Sequence, residues 1–364
     1  MKKIFILGGS SLQLDLILEA KRMFFYTIVL DGDKNCVGAK WCDKFLHIDI
    51  SDKELVLEQA KEYDIDLILT SATELGNVTA CWVGEKLGLN SNSYQTALNT
   101  TNKVLMKEIF KKHKINIANY SVVDSDDSQS WDKFPSIVKP SDSSAGRGLS
   151  FCKNEDEIKK ALKKASLYSK GEILIEEYIE GKQYSIESIS CGKKHQIVAI
   201  NREYIHPLPD IMEIGHEMPA KLDEMQKNLI EDITYKLLEI FDIAYGACHI
   251  EMIIKDGEVF VVEIASRTGG MRSEMISLAF GISYSQLLLF SYLDHLNKIN
   301  YSQINRVKCN FIVTYGAYLD YLEYKKSSNY LIFEPFKIPK VEDSFKAENI
   351  GESKGYYFIL EESL

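Results

Sequence analysis

No two cysteines of this chain stand at the C-x-x-C spacing, and their number is odd: Cys36, Cys42, Cys81, Cys152, Cys191, Cys248 and Cys309. Most lie in apolar, strand-like runs, which excludes a disulfide framework or a zinc site and fits reduced thiols in the cytoplasm. A block of Lys and Arg interleaved with aromatics is missing too, and with a formal net charge of −10 nucleic acid is excluded as the main partner. No apolar run approaches the roughly 20 residues of a membrane helix, so no membrane partner is expected. The start, Met1 to Leu7, imitates a leader, but its apolar stretch ends at Gly8-Gly9-Ser10-Ser11 and meets Asp15, as a first β-strand would. Two glycine signatures of nucleotide sites are absent as well. The segment Lys139 to Gly148 does not spell G-x-x-x-x-G-K-[ST], and Ser10-Ser11-Leu12-Gln13 after Gly8-Gly9 leaves G-x-G-x-x-G unfilled. Asp31 stands where a dinucleotide site keeps its acid, yet without the glycines a nicotinamide-dependent dehydrogenase is disfavoured.

What is present is enough apolar material for two or three domains: 364 residues, 45% hydrophobic and 26% charged, with neither an internal repeat nor a low-complexity segment. Strands at Lys3 to Leu7, Tyr26 to Leu30, Lys44 to Ile48 and Leu67 to Thr70 alternate with helices near Leu12 to Met23, Glu54 to Tyr63 and Gly76 to Leu87. This rhythm predicts an open parallel α/β domain over residues 1–90. Beyond Asn90-Ser91-Asn92-Ser93, a helix at Lys103 to His113 leads into mixed strands and helices, an α+β domain over 91–300 whose lid subdomain spans about 120–185. Residues 301–364 read as a small β-rich, aromatic cap or sheet extension.

The chemistry concentrates in one hairpin. Two β-rich runs, Ala247 to Ile254 and Glu258 to Ile264, flank Lys255-Asp256-Gly257. A three-residue loop ending with Gly257 in the left-handed conformation pairs Ile254 with Glu258 and Glu251 with Val261. That is the expected register. It sets Glu251 and Glu263 on one face as diagonal neighbours and turns Ile250, Met252, Val262 and Ile264 into a core. A two-residue Asp-Gly loop would split the two acids across the sheet. Paired acids with no cation on the hairpin suit Mg²⁺ bound together with phosphates; a solvated face carrying two acids is the plain alternative.

Three further segments add to it. The small residues of Ser141-Asp142-Ser143-Ser144-Ala145-Gly146-Arg147-Gly148 let backbone N–H groups close on phosphate oxygens, with Lys139 and Arg147 adding positive charge. Strand Leu174 to Glu177 leaves into Tyr178-Ile179-Glu180-Gly181, where backbone groups can meet an adenine edge shielded by Tyr178 and Ile179. Lys103 opens a helix from which it reaches a phosphate, whereas Lys107, Lys111 and Lys112 read as solvated. His206, His216 and His249 are candidate proton acceptors, and Arg202 a candidate contact for a substrate carboxylate or phosphate. In the front domain, Ser10 and Glu74 lie on loops at strand C-termini, the usual crevice of such sheets, where Glu74 suits an amine.

In this order, Asn102-Lys103, Val138-Lys139-Pro140, the Ser/Gly loop, Glu176-Glu177-Tyr178-Ile179-Glu180-Gly181, Gly215-His216-Glu217-Met218-Pro219-Ala220, Glu251 and Glu263 to Gly270 resemble the ATP-grasp superfamily of ATP-dependent ligases over nearly the whole chain. The front part resembles the Rossmann-like domain that precedes it in carboxylate–amine ligases, phosphoribosylaminoimidazole carboxylase ATPase subunits and biotin carboxylases. The resemblance implies that Lys103 and Lys139 hold ATP phosphates under a lid containing Ser143, Ser144, Gly146 and Gly148. Glu176, Glu177, Tyr178 and Ile179 then border adenine, Gln183 replaces a ribose-binding Glu, and Glu187 on the next strand faces the site. Glu251 and Glu263 bind Mg²⁺, with Mn²⁺ as the alternative ion, and Arg267 and Lys139 act on the transferring phosphoryl. Ala265 stands where the family usually has a metal-binding Asn. The implied activity joins a small-molecule carboxylate and an amine through an acyl phosphate, releasing ADP and phosphate; a bicarbonate-using carboxylase or an inactive ATP-binding relative are the alternatives. A homodimer is left open.

Overall fold

The computed structural model describes residues 1–124, 131–143, 146–168, 171–327 and 330–362. Strands β1 (Lys3–Leu7), β2 (Tyr26–Asp31), β3 (Lys44–His47) and β4 (Leu67–Leu69) form a parallel sheet in the order β3-β2-β1-β4. Helices α1 (Leu14–Arg22), α2 (Lys53–Tyr63) and α3 (Glu74–Leu87) connect them. Apolar runs such as Ile4 to Leu7 and Thr27 to Leu30 are buried on both faces, as a parallel sheet requires.

Helices α4 (Tyr94–Asn99) and α5 (Lys103–Lys112) follow, the second capped by Asn102, whose side chain accepts from the N–H groups of Val104 and Leu105. Strands β5 (Tyr120–Val123), β6 (Ser136–Pro140), β7 (Ser150–Cys152) and β8 (Ile173–Glu177), with helix α6 (Glu155–Ala165), build a separate antiparallel sheet in the order β5-β8-β6-β7. It has its own core around Val138, Ile158, Leu162 and Ile175.

The large sheet comes next in the chain. It comprises β9 (Lys182–Cys191), β10 (Lys194–Ile205), β11 (Glu213–Met218) and, after helix α7 (Glu224–Ile240), the hairpin β12 (Gly246–Lys255) and β13 (Glu258–Ala265). Helices α8 (Arg272–Phe280) and α9 (Tyr284–Tyr292) precede β14 (Asn305–Phe311), α10 (Tyr315–Lys326), β15 (Leu331–Phe333) and β16 (Tyr356–Glu362). The sheet order is β13-β12-β9-β10-β11-β14-β16-β15, so the C-terminal strands extend the sheet that carries the hairpin. The C-terminal region is not strands alone: Tyr315, Tyr318, Tyr321 and Tyr324 lie on helix α10 and join a cluster with Tyr357 and Ile359, where an aromatic composition suggests strand. Among the described residues no single helix is long and apolar enough to cross a membrane.

Candidate active site

A cavity of about 520 Å³ lies between one face of the large sheet, the antiparallel sheet of β5 to β8, helix α5 and the turn after β13. The hairpin supplies its floor, though by a different route from the expected register. Asp256 and Gly257 both have positive φ, so the loop has two residues and pairs Lys255 with Glu258. Continued unbroken, that register would place Glu251 and Glu263 on opposite faces. A β-bulge between Glu251 and Met252 adds one residue to β13 and sets Glu251 directly opposite Glu263. Both acids line the cavity. Val262 is the extra residue; it lines the cavity instead of joining the core, where Val259 and Val261 pack with Ile250, Met252 and Ile264.

At one end of the cavity three lysines converge. Lys103 Nζ lies 3.4 Å from Glu263 Oε2 and donates to the Ser143 carbonyl at 3.0 Å. Burial works against its charge, but Glu263, Glu74 and Glu251 together outweigh it and lift its pKa. The same array acts on Glu263: burial alone would raise its pKa, and Lys103, Arg267 and Lys139 bring it down to about 2. Lys139 and Lys107 stand 3.0 and 3.3 Å from one oxygen of Glu176. Lys107, expected in solvent, is 1% exposed, because the α5 face that carries Lys103 also carries the residue one turn on. Lys111 and Lys112 are exposed as expected. Burial, with Lys139 nearby, depresses the Lys107 pKa, while Lys107 and Lys139 hold Glu176 ionised against its own burial. Two cations against one anion leave this end positive.

Gly146 and Gly148, both at positive φ, shape the loop above the lysines, and Ser143, Gly146 and Arg147 line the cavity. Ser144 lies outside the described residues. Glu177, Tyr178 and Ile179 line it as well; Glu177 accepts from Asn119 Nδ2, and Tyr178 packs edge-on against Phe151 at 5.3 Å. Gln183, on β9, donates to Glu203 at 2.7 Å and approaches Glu251 at 3.4 Å, so its amide is engaged with acids of the cavity floor.

Arg267 Nη2 donates to Glu74 Oε1 at 2.7 Å, which makes Glu74 the partner of a site arginine. Three other sequence candidates stay outside the cavity lining. Ser10 is exposed. Arg202 donates to the Gln183 carbonyl at 2.6 Å and stacks on Tyr184 and Tyr204, because strand alternation gives the cavity face to Glu203 and the opposite face to Arg202. His206 sits past the end of β10, its Nδ1 on the Pro207 carbonyl.

A buried network under the floor went unnoticed in the sequence apart from His216, His249, Glu187 and Gln183. His249 bridges Glu187 at 2.6 Å and Glu251 at 3.3 Å; burial opposes its charge, yet the two carboxylates push its pKa up to about 10. Arg272, 3% exposed, reaches Glu203 at 2.9 Å, Ser185 at 3.1 Å and His216 Nδ1 at 3.3 Å. The signal for it was polar residues at alternate positions of buried strands: Gln183, Ser185 and Glu187 on β9, and Asn201 and Glu203 on β10. From the C-terminal region, Phe311, Ile350 and Tyr356 also line the cavity, and Leu12 reaches it from the front domain.

The donor set of the hairpin, two carboxylates on one face beside open volume, fits a hard divalent cation completed by water and phosphate oxygens. Ala265, opposite His249 in the ladder, contributes no ligand atom.

A sheet floor with paired acids, a small antiparallel sheet above it and lysines between them define a nucleotide-binding fold that closes two sheets on its ligand. Residues 100–271 match the ATP-grasp domain family, so the chain carries an ATP-grasp domain. Formate-dependent phosphoribosylglycinamide formyltransferase of Methanocaldococcus jannaschii is 24% identical over 282 residues, 73% of this chain and 69% of that protein. Among solved structures, L-amino acid ligase of Bacillus licheniformis superposes with a TM-score of 0.82 at 17% identity, covering 100% of this chain and 94% of that one. Carboxyaminoimidazole ribonucleotide synthase of Aspergillus clavatus, complexed with ATP, gives 0.78 at 17% identity, covering 99% and 93%. These likenesses extend the shared fold to the front and C-terminal parts.

Proposed function

We propose that this enzyme is a carboxylate–amine ligase, which makes an amide or peptide bond through an acyl phosphate with release of ADP and phosphate. The observation that carries the reading is the direct pairing of Glu251 and Glu263 on the cavity face, within reach of Lys103. A carboxylate resists attack because it would expel an oxide from an anion. Transfer of the ATP γ-phosphoryl to it creates a phosphate leaving group, which an amine displaces. Mg²⁺ held by Glu251 and Glu263 supplies charge neutralisation at the phosphates. Lys103, Lys107 and Lys139 give the phosphate end its positive charge, and Arg267, fixed by Glu74, faces the transferring group. Ser143, Gly146 and Arg147, which line the cavity beside the lysines, shield the acyl phosphate from water. No protein nucleophile is needed.

A phosphate-release screen pairing amino acids, sugar acids and amines tests the reading. Release that depends on bicarbonate instead would make the enzyme a carboxylase, and Mg²⁺-dependent ATP binding without release under any pairing would make it a binding protein. With an active pair in hand, Glu263→Gln is expected to lower turnover by about a hundredfold or more with the fold intact, since one electrostatic contact of this kind is worth roughly 10² to 10³ in rate. Unchanged turnover removes Glu263 from the mechanism.

A further inference from the structure

The acids at and beneath the cavity floor have basic neighbours as far as β10, and none that carries a charge at β11. Glu263 has Lys103 at 3.4 Å, Glu251 has His249 at 3.3 Å, and Glu203 has Arg272 at 2.9 Å. Glu213 also lines the cavity. Among the described residues the only basic group within ion-pair range of it is His216 Nε2, at 3.5 Å. His216 does not supply a charge: it is 1% exposed, and burial, with Arg272 and His249 nearby, holds its pKa well below the usual imidazole range. Its Nδ1 accepts from Arg272, which leaves the proton of the neutral ring on Nε2. That buried Nε2–H has no hydrogen-bond partner and is turned to the Glu213 side of the cavity. An acid without a cation thus stands beside a donor without an acceptor, and the proton it holds at neutral pH is one an arriving amine can take up as ammonium.

Apolar side chains predominate on this side of the cavity, with Phe311 edge-on to His216 at 5.3 Å, alongside polar Asn349 and Ser353. Ile211, Met271, Phe311, Ile350 and Tyr356 line the same cavity, drawn from β14, β16 and the segments that precede β11, α8 and β16. Polar groups this few, converging inside an apolar pocket, are the pattern of a small-molecule subsite. Strand order places it away from the phosphate end: β11 lies three strands from β12, roughly 14 Å along the sheet at the usual spacing.

We infer that the β11 end of the cavity is a substrate subsite for an amino compound with an apolar body, its ammonium on Glu213, an oxygen acceptor on His216 Nε2–H and its apolar part against Phe311, Met271 and Tyr356. The inference rests on the ligase reading for its place in a reaction, but the binding it describes does not. Burial and the nearby Glu203 and Glu251 push the Glu213 pKa up to about 8 in the protein by itself, as expected for an acid lacking its cation.

The probes are L-phenylalaninamide and L-leucinamide, each paired with the same amide lacking the amino group, 3-phenylpropanamide and 4-methylpentanamide, titrated calorimetrically at neutral pH into the full chain with MgATP present. Wild type is expected to bind at least one aminoamide about tenfold or more tightly than its ammonium-free partner, the usual worth of a hydrogen bond to a charged group. Glu213→Gln should collapse that ratio towards one while leaving MgATP affinity and binding of the neutral amide in place, and Glu213→Asp should restore part of it. Equal binding of the two amides, binding of neither, or a ratio that survives Glu213→Gln overturns the subsite. Aminoamide binding without phosphate release from any substrate pair would sink the ligase reading and leave the subsite standing; phosphate release with equal binding of the paired amides would do the reverse.

Discussion

Glu176 is the residue whose removal the structure punishes most clearly, since one of its oxygens faces Lys107 at 3.3 Å and Lys139 at 3.0 Å in a setting where Glu176 is 6% exposed. Glu176→Gln leaves two buried ammonium groups side by side with no counter-charge and is expected to cost roughly 3–5 kcal/mol of stability. Lys107→Met removes the surplus cation and keeps the Lys139–Glu176 pair, so it should cost far less while weakening ATP. Urea denaturation of the two variants checks the difference, and equal losses would mean that the triad is not organised around Glu176. This arrangement was half legible in the sequence: Lys139 and Glu176 belong to recognisable segments, but Lys107 looks like any helix-surface lysine. Its burial follows from which face of α5 meets the large sheet, and that is decided by Met106 and Phe110 packing into the core beside it.

At the scale of elements, the hairpin teaches how pairing overrides loop counting. The strand boundaries were legible from composition, and so was a turn around Lys255-Asp256-Gly257, though not that its loop has two residues. The bulge at Val262 was not, because nothing in Val261-Val262-Glu263 distinguishes an inserted residue from a regular one. What fixes it is the need to bury Val259 and Val261 with Met252 on one side of the break, and Ile264 with Ile250 on the other. The turn after β13 is equally tight. A Cβ on Gly269 would lie 2.5 Å from Glu187 Oε1 and 2.7 Å from both His249 Nδ1 and Arg272 Cγ. Gly269 N–H also donates to Glu187 at 3.2 Å. Gly269→Ala must therefore part Glu187 from His249, and a loss of about 1–3 kcal/mol is expected, as for overpacking elsewhere. Denaturant melts read the loss; a variant as stable as the parent would show that the His249–Glu187 pair yields easily.

Across the whole molecule, the front domain is fastened to the site turn. Asn77 donates to Ser266 at 2.8 Å, Thr268 N–H to the Ser71 carbonyl at 3.0 Å, and Arg267 to Glu74 at 2.7 Å. Helices α1 and α9 share a core that joins Leu16 and Ile17 to Leu288 and Leu289. The βαβ rhythm made the front domain legible, but its grip on Arg267 is a contact across more than 190 positions that no local pattern encodes. The sheet of β5 to β8 differs, for its core of Val138, Ile158, Leu162 and Ile175 is closed on itself. A unit with a separate core opens separately. Amide hydrogen exchange should therefore find β6 and β7 exchanging through local opening, while β1, β9 and β12 exchange only with the whole chain. MgATP should slow β6 and β7 by spanning Lys139 above and Glu251 and Glu263 below, with little change in β1. Uniform slowing of every strand would instead mean that the two sheets already move as one body.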